Sequence, residues 1–235
     1  MSKQDLRSTA GWGFELSMAW ILISVVALGF VLNAILLPQK IPPFSPLLAF
    51  HGVAMIAWFL FLPLQVSAVR AGANRRHAVL GKASVVLVVA IIVSGLSIAL
   101  VRYHRLFAEN DAAVVLLFNV GNMLSFTVLY VLALSYRRQL DFHRRYMVLA
   151  TICLTPPAVA RIVDSLDLSP ALALLILLSL FLCIPLRDVS CLGKVHKGTI
   201  VGGSIFFGVL LASLIVGGTN WWESFILDFF TLPKG

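Results

Sequence analysis

Apolar runs about 20 residues long, separated by short polar turns, recur seven times along this chain. A helix rises about 1.5 Å per residue, so each run reaches across the roughly 30 Å hydrocarbon core of a bilayer. The runs predict helices at about 17–37, 47–68, 78–101, 112–135, 146–165, 170–186 and 198–216. Prolines punctuate them. Pro38 stops the first, the Pro42-Pro43 and Pro46 turn leads into the second, and Pro156-Pro157 break the fifth. The sixth run is short enough to read as re-entrant instead. After the seventh, Asn220-Trp221-Trp222-Glu223 through Phe230 is aromatic and acidic, as expected of a segment at headgroup level. The expected fold is all-α, a polytopic bundle of about seven spans forming one integral membrane domain over residues 1–235.

Composition agrees. Of 235 residues 60% are hydrophobic and 12% charged, against about 25% charged in a soluble domain, so lipid must be the main solvent. A net charge of +8 in a soluble chain would suggest nucleic acid. Here the cations sit in turns between apolar runs, so the expected partner is an anionic leaflet and not a nucleic acid. With the N-terminus inside, the inner segments hold 13 Lys and Arg and the outer ones 5. That asymmetry predicts N-inside and C-outside in a bacterial cytoplasmic (inner) membrane. The charged N-terminal stretch leads into the first run without a small-residue cleavage site, so a retained span is expected. Cys153, Cys183 and Cys191 have no paired spacing and read as small hydrophobes. In the last span Ser204, Gly208 and Ala212, and likewise Gly198 and Gly202, have the spacing that lets helices approach closely in lipid. Asn119 and Asn122 share a face of the fourth span and are expected to bond a neighbouring helix.

Chemistry must come from the few polar groups at membrane depth. His51, Met55, Trp58, Leu62 and Gln65 fall on one face of the second span, over about 21 Å. An ionisable residue within a span is costly and marks a functional hypothesis. By depth, His51 and His104 lie toward the outer side, His77 and His143 toward the inner. His104, beside Arg105, Glu109 and Asp111, and His196, between Lys194 and Lys197, read as solvated. Arg75-Arg76-His77 opens the third span and His143-Arg144-Arg145 the fifth, an echo that suggests two parallel hairpin repeats. Imidazoles on different spans suit the axial positions of haem b, with Arg75, Arg76 and Arg144 available to its propionates and Gly52 and Gly81 leaving room for the ring. Arg161 and Asp164, one turn beyond the proline break, suggest a polar pocket with His51, Trp58 and Gln65 on the outer side, lined by Thr155. No zinc-type HExxH, Cys-x-x-Cys or Gly-rich phosphate loop occurs.

The run His51-Gly52, Trp58, Gln65, Arg75-Arg76-His77 and Leu80-Gly81, followed by His143-Arg144-Arg145, Met147, Leu149-Ala150-Thr151 and Ala160-Arg161, resembles a group of uncharacterised bacterial multi-pass inner-membrane proteins. It is more loosely similar to small b-type membrane cytochromes and to membrane proteins of haem-copper oxidase assembly. The resemblance covers spans two to five and implies topology first. Three functions stand open: a redox protein holding b-type haem through His51, His77 and His143; a non-catalytic assembly or accessory factor for a membrane complex; and a small-molecule or lipid transporter using the broken fifth helix.

Overall fold

A bilayer offers no partner for a backbone N–H or C=O, so an apolar run that crosses it must close its hydrogen bonds within itself. Each run does so as a helix. The computed structural model describes residues 13–105 and 112–231. The helices are α1 (Gly13–Leu36), α2 (Pro46–Arg70), α3 (Asn74–Arg105), α4 (Ala112–Ser135), α5 (Leu140–Ile152), α6 (Pro156–Ser165), α7 (Ala171–Leu192), α8 (Lys197–Gly217) and α9 (Asn220–Thr231), with a 3-10 turn at Pro38–Lys40; there is no strand among the described residues. Among the described residues seven spans are long and apolar enough to cross a membrane, α5 and α6 counting together as one. Lys3, Arg7 and Lys234, which enter the cation count, and Glu109 and Asp111 lie outside the described residues.

Three boundaries differ from expectation. The third helix begins at Asn74, so Arg75, Arg76 and His77 belong to its first turn. The fifth begins at Leu140, not 146, which brings His143, Arg144 and Arg145 into the helix. The sixth is a full 22-residue helix that carries Pro185 and ends on Gly193 at φ 71°, a left-handed cap that favours glycine. At that length it is long and apolar enough to cross a membrane.

The centre of the bundle is the broken span, not the second. α1, α2, α3, α4 and α8 pack in succession, and α5–α6 lie against α1, α4, α7 and α8. Across its apolar stretch 78% of the α5–α6 span is buried, against 17–44% in the other six. Lipid gives helices no hydrophobic reason to associate, so close approach and polar ties must do it. Gly29 of α1 supplies one approach: a Cβ there would collide with the Ala158 carbonyl carbon, 2.9 Å away. Gly202 of α8 supplies another, against Leu149 and Leu129. Outward faces remain apolar and exposed, as at Ile35, Val53, Val86 and Ile215, as suits a lipid-facing surface.

Pro156 and Pro157 occupy the first turn of α6, where their missing N–H groups cost least. Thr155 Oγ1 donates to Ile152 O at 2.7 Å and satisfies a carbonyl at the break. Residues Thr151 to Pro156 are all buried. The break is buried in the bundle, where α5 and α6 pack against α1. The terminal aromatic segment is a helix, α9, whose Trp222 Nε1 donates to Ala113 O at 2.8 Å.

Candidate functional site

Polar groups concentrate at one end of the bundle. The start of α1, the end of α2, the start of α3, the end of α4, the starts of α5 and α8 and the end of α7 all meet there, as alternating spans require. Arg70, Arg75, Arg76, Lys82, Arg137, Arg138, Lys194 and Lys197 are exposed around it, so it is the basic end.

Within it the first turns of α5 form a charge network. Buried Arg145 pairs with buried Asp188 of α7: Nε donates to Oδ1 at 3.0 Å, and Nη2 donates to the same oxygen. Asp188 Oδ2 accepts from His196 N at 3.1 Å and from Thr199 Oγ1. Arg144 donates to Asp141 at 2.6 Å and approaches buried Glu15 of α1. Arg187 lies 3.3 Å from the same Glu15 and covers the Phe14 ring at 4.6 Å. Three arginines thus meet three carboxylates and tie α1, α5, α7 and α8. Arg144 is committed to acids; Arg75 and Arg76 stand exposed beside His77.

His196 is not simply solvated. Its Nδ1 accepts from Gly198 N at 3.0 Å and caps α8, while its ring packs on Phe142 at 4.6 Å. Burial, then Arg145, holds its imidazole below the ordinary range, against the pull of Asp188 and Asp141.

The candidate site is the histidine pair beside this network. His77 of α3 and His143 of α5 face each other with ring centres 6.4 Å apart and planes at 87°. Both are half-buried. His143 Nδ1 donates to Ala133 O of α4 at 2.8 Å. His77 Nδ1 lies 2.7 Å from the amide of Gln65, which is buried on α2. Four helices therefore supply the pair and its supports. Just above it, Tyr130 OH and Ser84 Oγ bond at 2.7 Å, and Ser84 donates to Gly81 O at 2.7 Å. Near the same end Leu134, Ser135, Arg137 and Arg138 line an open cleft of about 550 Å³.

The other sequence candidates scatter. His51 bonds Ser94 Oγ at 2.8 Å, 14 residues and about 21 Å along the helix from Gln65. His104 is exposed and does not join it. Trp58 is fully buried, edge-on to Phe126 at 5.0 Å, with its Nε1 unpartnered. Arg161 donates to Pro157 O at 2.7 Å and covers the Phe30 ring, and Asp164 pairs with Lys40 at 2.9 Å, both partners exposed. Trp58, Gln65, Arg161 and Asp164 do not assemble around His51. Asn119 bonds its own helix at Val115 O, and Asn122 Nδ2 is buried without a partner, so neither makes the expected tie. No group of three or more His, Cys, Asp or Glu suited to a metal ion exists among the described residues. Glu15, Asp188 and Thr199 were missed by the sequence reading: Glu15 and Asp188 fall just outside the apolar runs 17–37 and 170–186, whereas His51 lies within one. No family model, curated protein or solved structure matches this chain.

Proposed function

We propose that this chain is a redox protein of a bacterial cytoplasmic membrane that binds b-type haem between His77 and His143, with the basic end facing the cytoplasm. The observation that carries this reading is the pair itself. Two imidazoles from different spans face each other, each with its Nδ1 bonded elsewhere, so a ligand would be taken at Nε2 of each ring. A pair of histidines from different spans is the donor set b-type haem would need, and the two ring centres here are 6.4 Å apart. Haem brings four of its six ligands with it, so two histidines suffice, whereas zinc takes three or four from the protein. The bound group would supply one-electron chemistry. The chain's own part is orientation: Ala133 O and Gln65 fix the rings, the network at α5 fixes the helix that carries His143, and exposed Arg75, Arg76, Arg137 and Arg138 offer cations to carboxylates.

The test is an absorption spectrum of protein purified from haem-replete cells. A Soret band that sharpens on reduction is expected, lost in His77→Ala and His143→Ala and kept in His51→Ala. A colourless wild-type preparation ends the proposal. A second reading, an accessory subunit of a membrane complex, is favoured by Ser204, Gly208 and Ala212, which are exposed, with open space around Gly208. It predicts co-purification with one membrane partner in mild detergent. The packed proline break gives a transporter reading no support.

A further inference from the structure

The hydrogen bonds around His77 and His143 fit two different neutral tautomers. A carbonyl only accepts, so His143 Nδ1 must carry a hydrogen to bond Ala133 O, and its Nε2 keeps a lone pair. The Gln65 amide satisfies its surroundings in one orientation. Its nitrogen donates to His77 Nδ1 at 2.7 Å and His77 O at 3.3 Å, and its oxygen accepts from Gly81 N at 3.0 Å. A neutral ring nitrogen that accepts carries no hydrogen, so the hydrogen of His77 is on Nε2. A metal needs a lone pair from each Nε2, and His77 has a hydrogen there.

We infer that Gln65 is a positioning residue that sets the tautomer of His77, and that its amide turns over when the pair takes an electron-pair acceptor such as haem iron. The second half rests on the haem reading; the first does not. Protons balance. The His77 hydrogen would move from Nε2 to Nδ1, which would leave the ring neutral and a lone pair on Nε2 for the bound group. The Gln65 oxygen then accepts from Nδ1–H. Turned over, the amide nitrogen faces Gly81 N–H, so that bond is given up. A glutamate at position 65 has two accepting oxygens, serves Gly81 N–H and His77 Nδ1–H together, and leaves His77 Nε2 bare.

The experiment uses full-length protein labelled with ¹⁵N-histidine, in lipid nanodiscs at about pH 8, where histidines of ordinary pKa are neutral. NMR reads each tautomer before and after haemin is added. Without haemin, the wild type should show hydrogen on His77 Nε2 and His143 Nδ1. Gln65→Glu should move the His77 hydrogen to Nδ1, and Gln65→Leu should let it populate both, with His143 unchanged in each. A wild-type His77 protonated at Nδ1, or the same His77 tautomer in all three proteins, overturns the inference whether or not haem binds. With haemin, Gln65→Glu should bind at least as tightly as the wild type, and Gln65→Leu about 10–100-fold more weakly. Weaker binding by Gln65→Glu overturns the turnover. No binding by any of the three removes the haem reading and leaves the tautomer result standing.

Discussion

Asp188→Ala is the sharpest test of how the bundle is held. Asp188 is 1% exposed and Arg145 6%. The substitution strips a partner from Arg145 Nε and Nη2, from His196 N and from Thr199 Oγ1. Arg145 keeps the bond from Nη1 to Asp141 O at 2.7 Å and lies 3.7 Å from the Asp141 carboxylate, but its buried Nε and Nη2 lose their acceptor. Breaking such a pair from one side costs about 3–5 kcal/mol, a large part of the roughly 5–15 kcal/mol that holds a typical fold. At about 2–4 °C per kcal/mol for a chain of this size, the melting temperature should fall by roughly 10 °C. The assay is thermal unfolding in detergent micelles, with monodispersity on gel filtration as a second readout. Arg145→Met combined with Asp188→Leu removes both charges and should cost less than the two single changes added together, because no buried charge is then stranded. An Asp188→Ala protein within about 0.5 kcal/mol of the wild type, or a double variant as damaged as the sum, refutes the reasoning.

Gly29→Ala should destabilise by about 1–3 kcal/mol, since the added carbon meets backbone of α6 and the helices must part. Gly208→Ala, which meets nothing within 4 Å, should be neutral or stabilise by up to about 1 kcal/mol in the same unfolding assay. For His196 the folded chain holds fewer protons than the unfolded one between its depressed pKa and its ordinary value of 6.5. Stability should therefore rise with pH through that window and level off above it. His196→Asn, measured from about pH 5 to 8, should flatten the rise; an unchanged slope assigns it to another group.

Apolar run length made the seven spans legible, because crossing lipid leaves little choice of structure. Helix ends were less legible. His143, Arg144 and Arg145 looked like a turn because they are charged, but the carboxylates of α1 and α7 give them partners inside the fold. The depth of each histidine was readable from alternating spans, and this put His77 and His143 at one end. That they face each other was not readable, since rotation about a helix axis is set by packing. The same limit applies to the pocket proposed around His51. His51 and Gln65 do share a face, yet that face meets Ser94 at one end and His77 at the other. Of the small residues in the last span, Gly202 packs inward and Gly208 faces out, a distinction that spacing alone does not contain.

Residues 143, 144 and 145 occupy less than one helical turn, so their side chains leave α5 about 100° apart. His143 reaches the Ala133 carbonyl of α4 and faces His77 of α3, Arg144 reaches toward Glu15 of α1, and Arg145 reaches Asp188 of α7. One turn of helix is thus fixed in rotation from three directions. An imidazole in such a turn cannot swing without breaking a buried charge pair or a bond to a neighbouring span. The costly polar groups at this end therefore place His143 against His77 as well as hold the bundle. Loosening Arg145 should disturb the histidine pair at temperatures where the helices are still assembled.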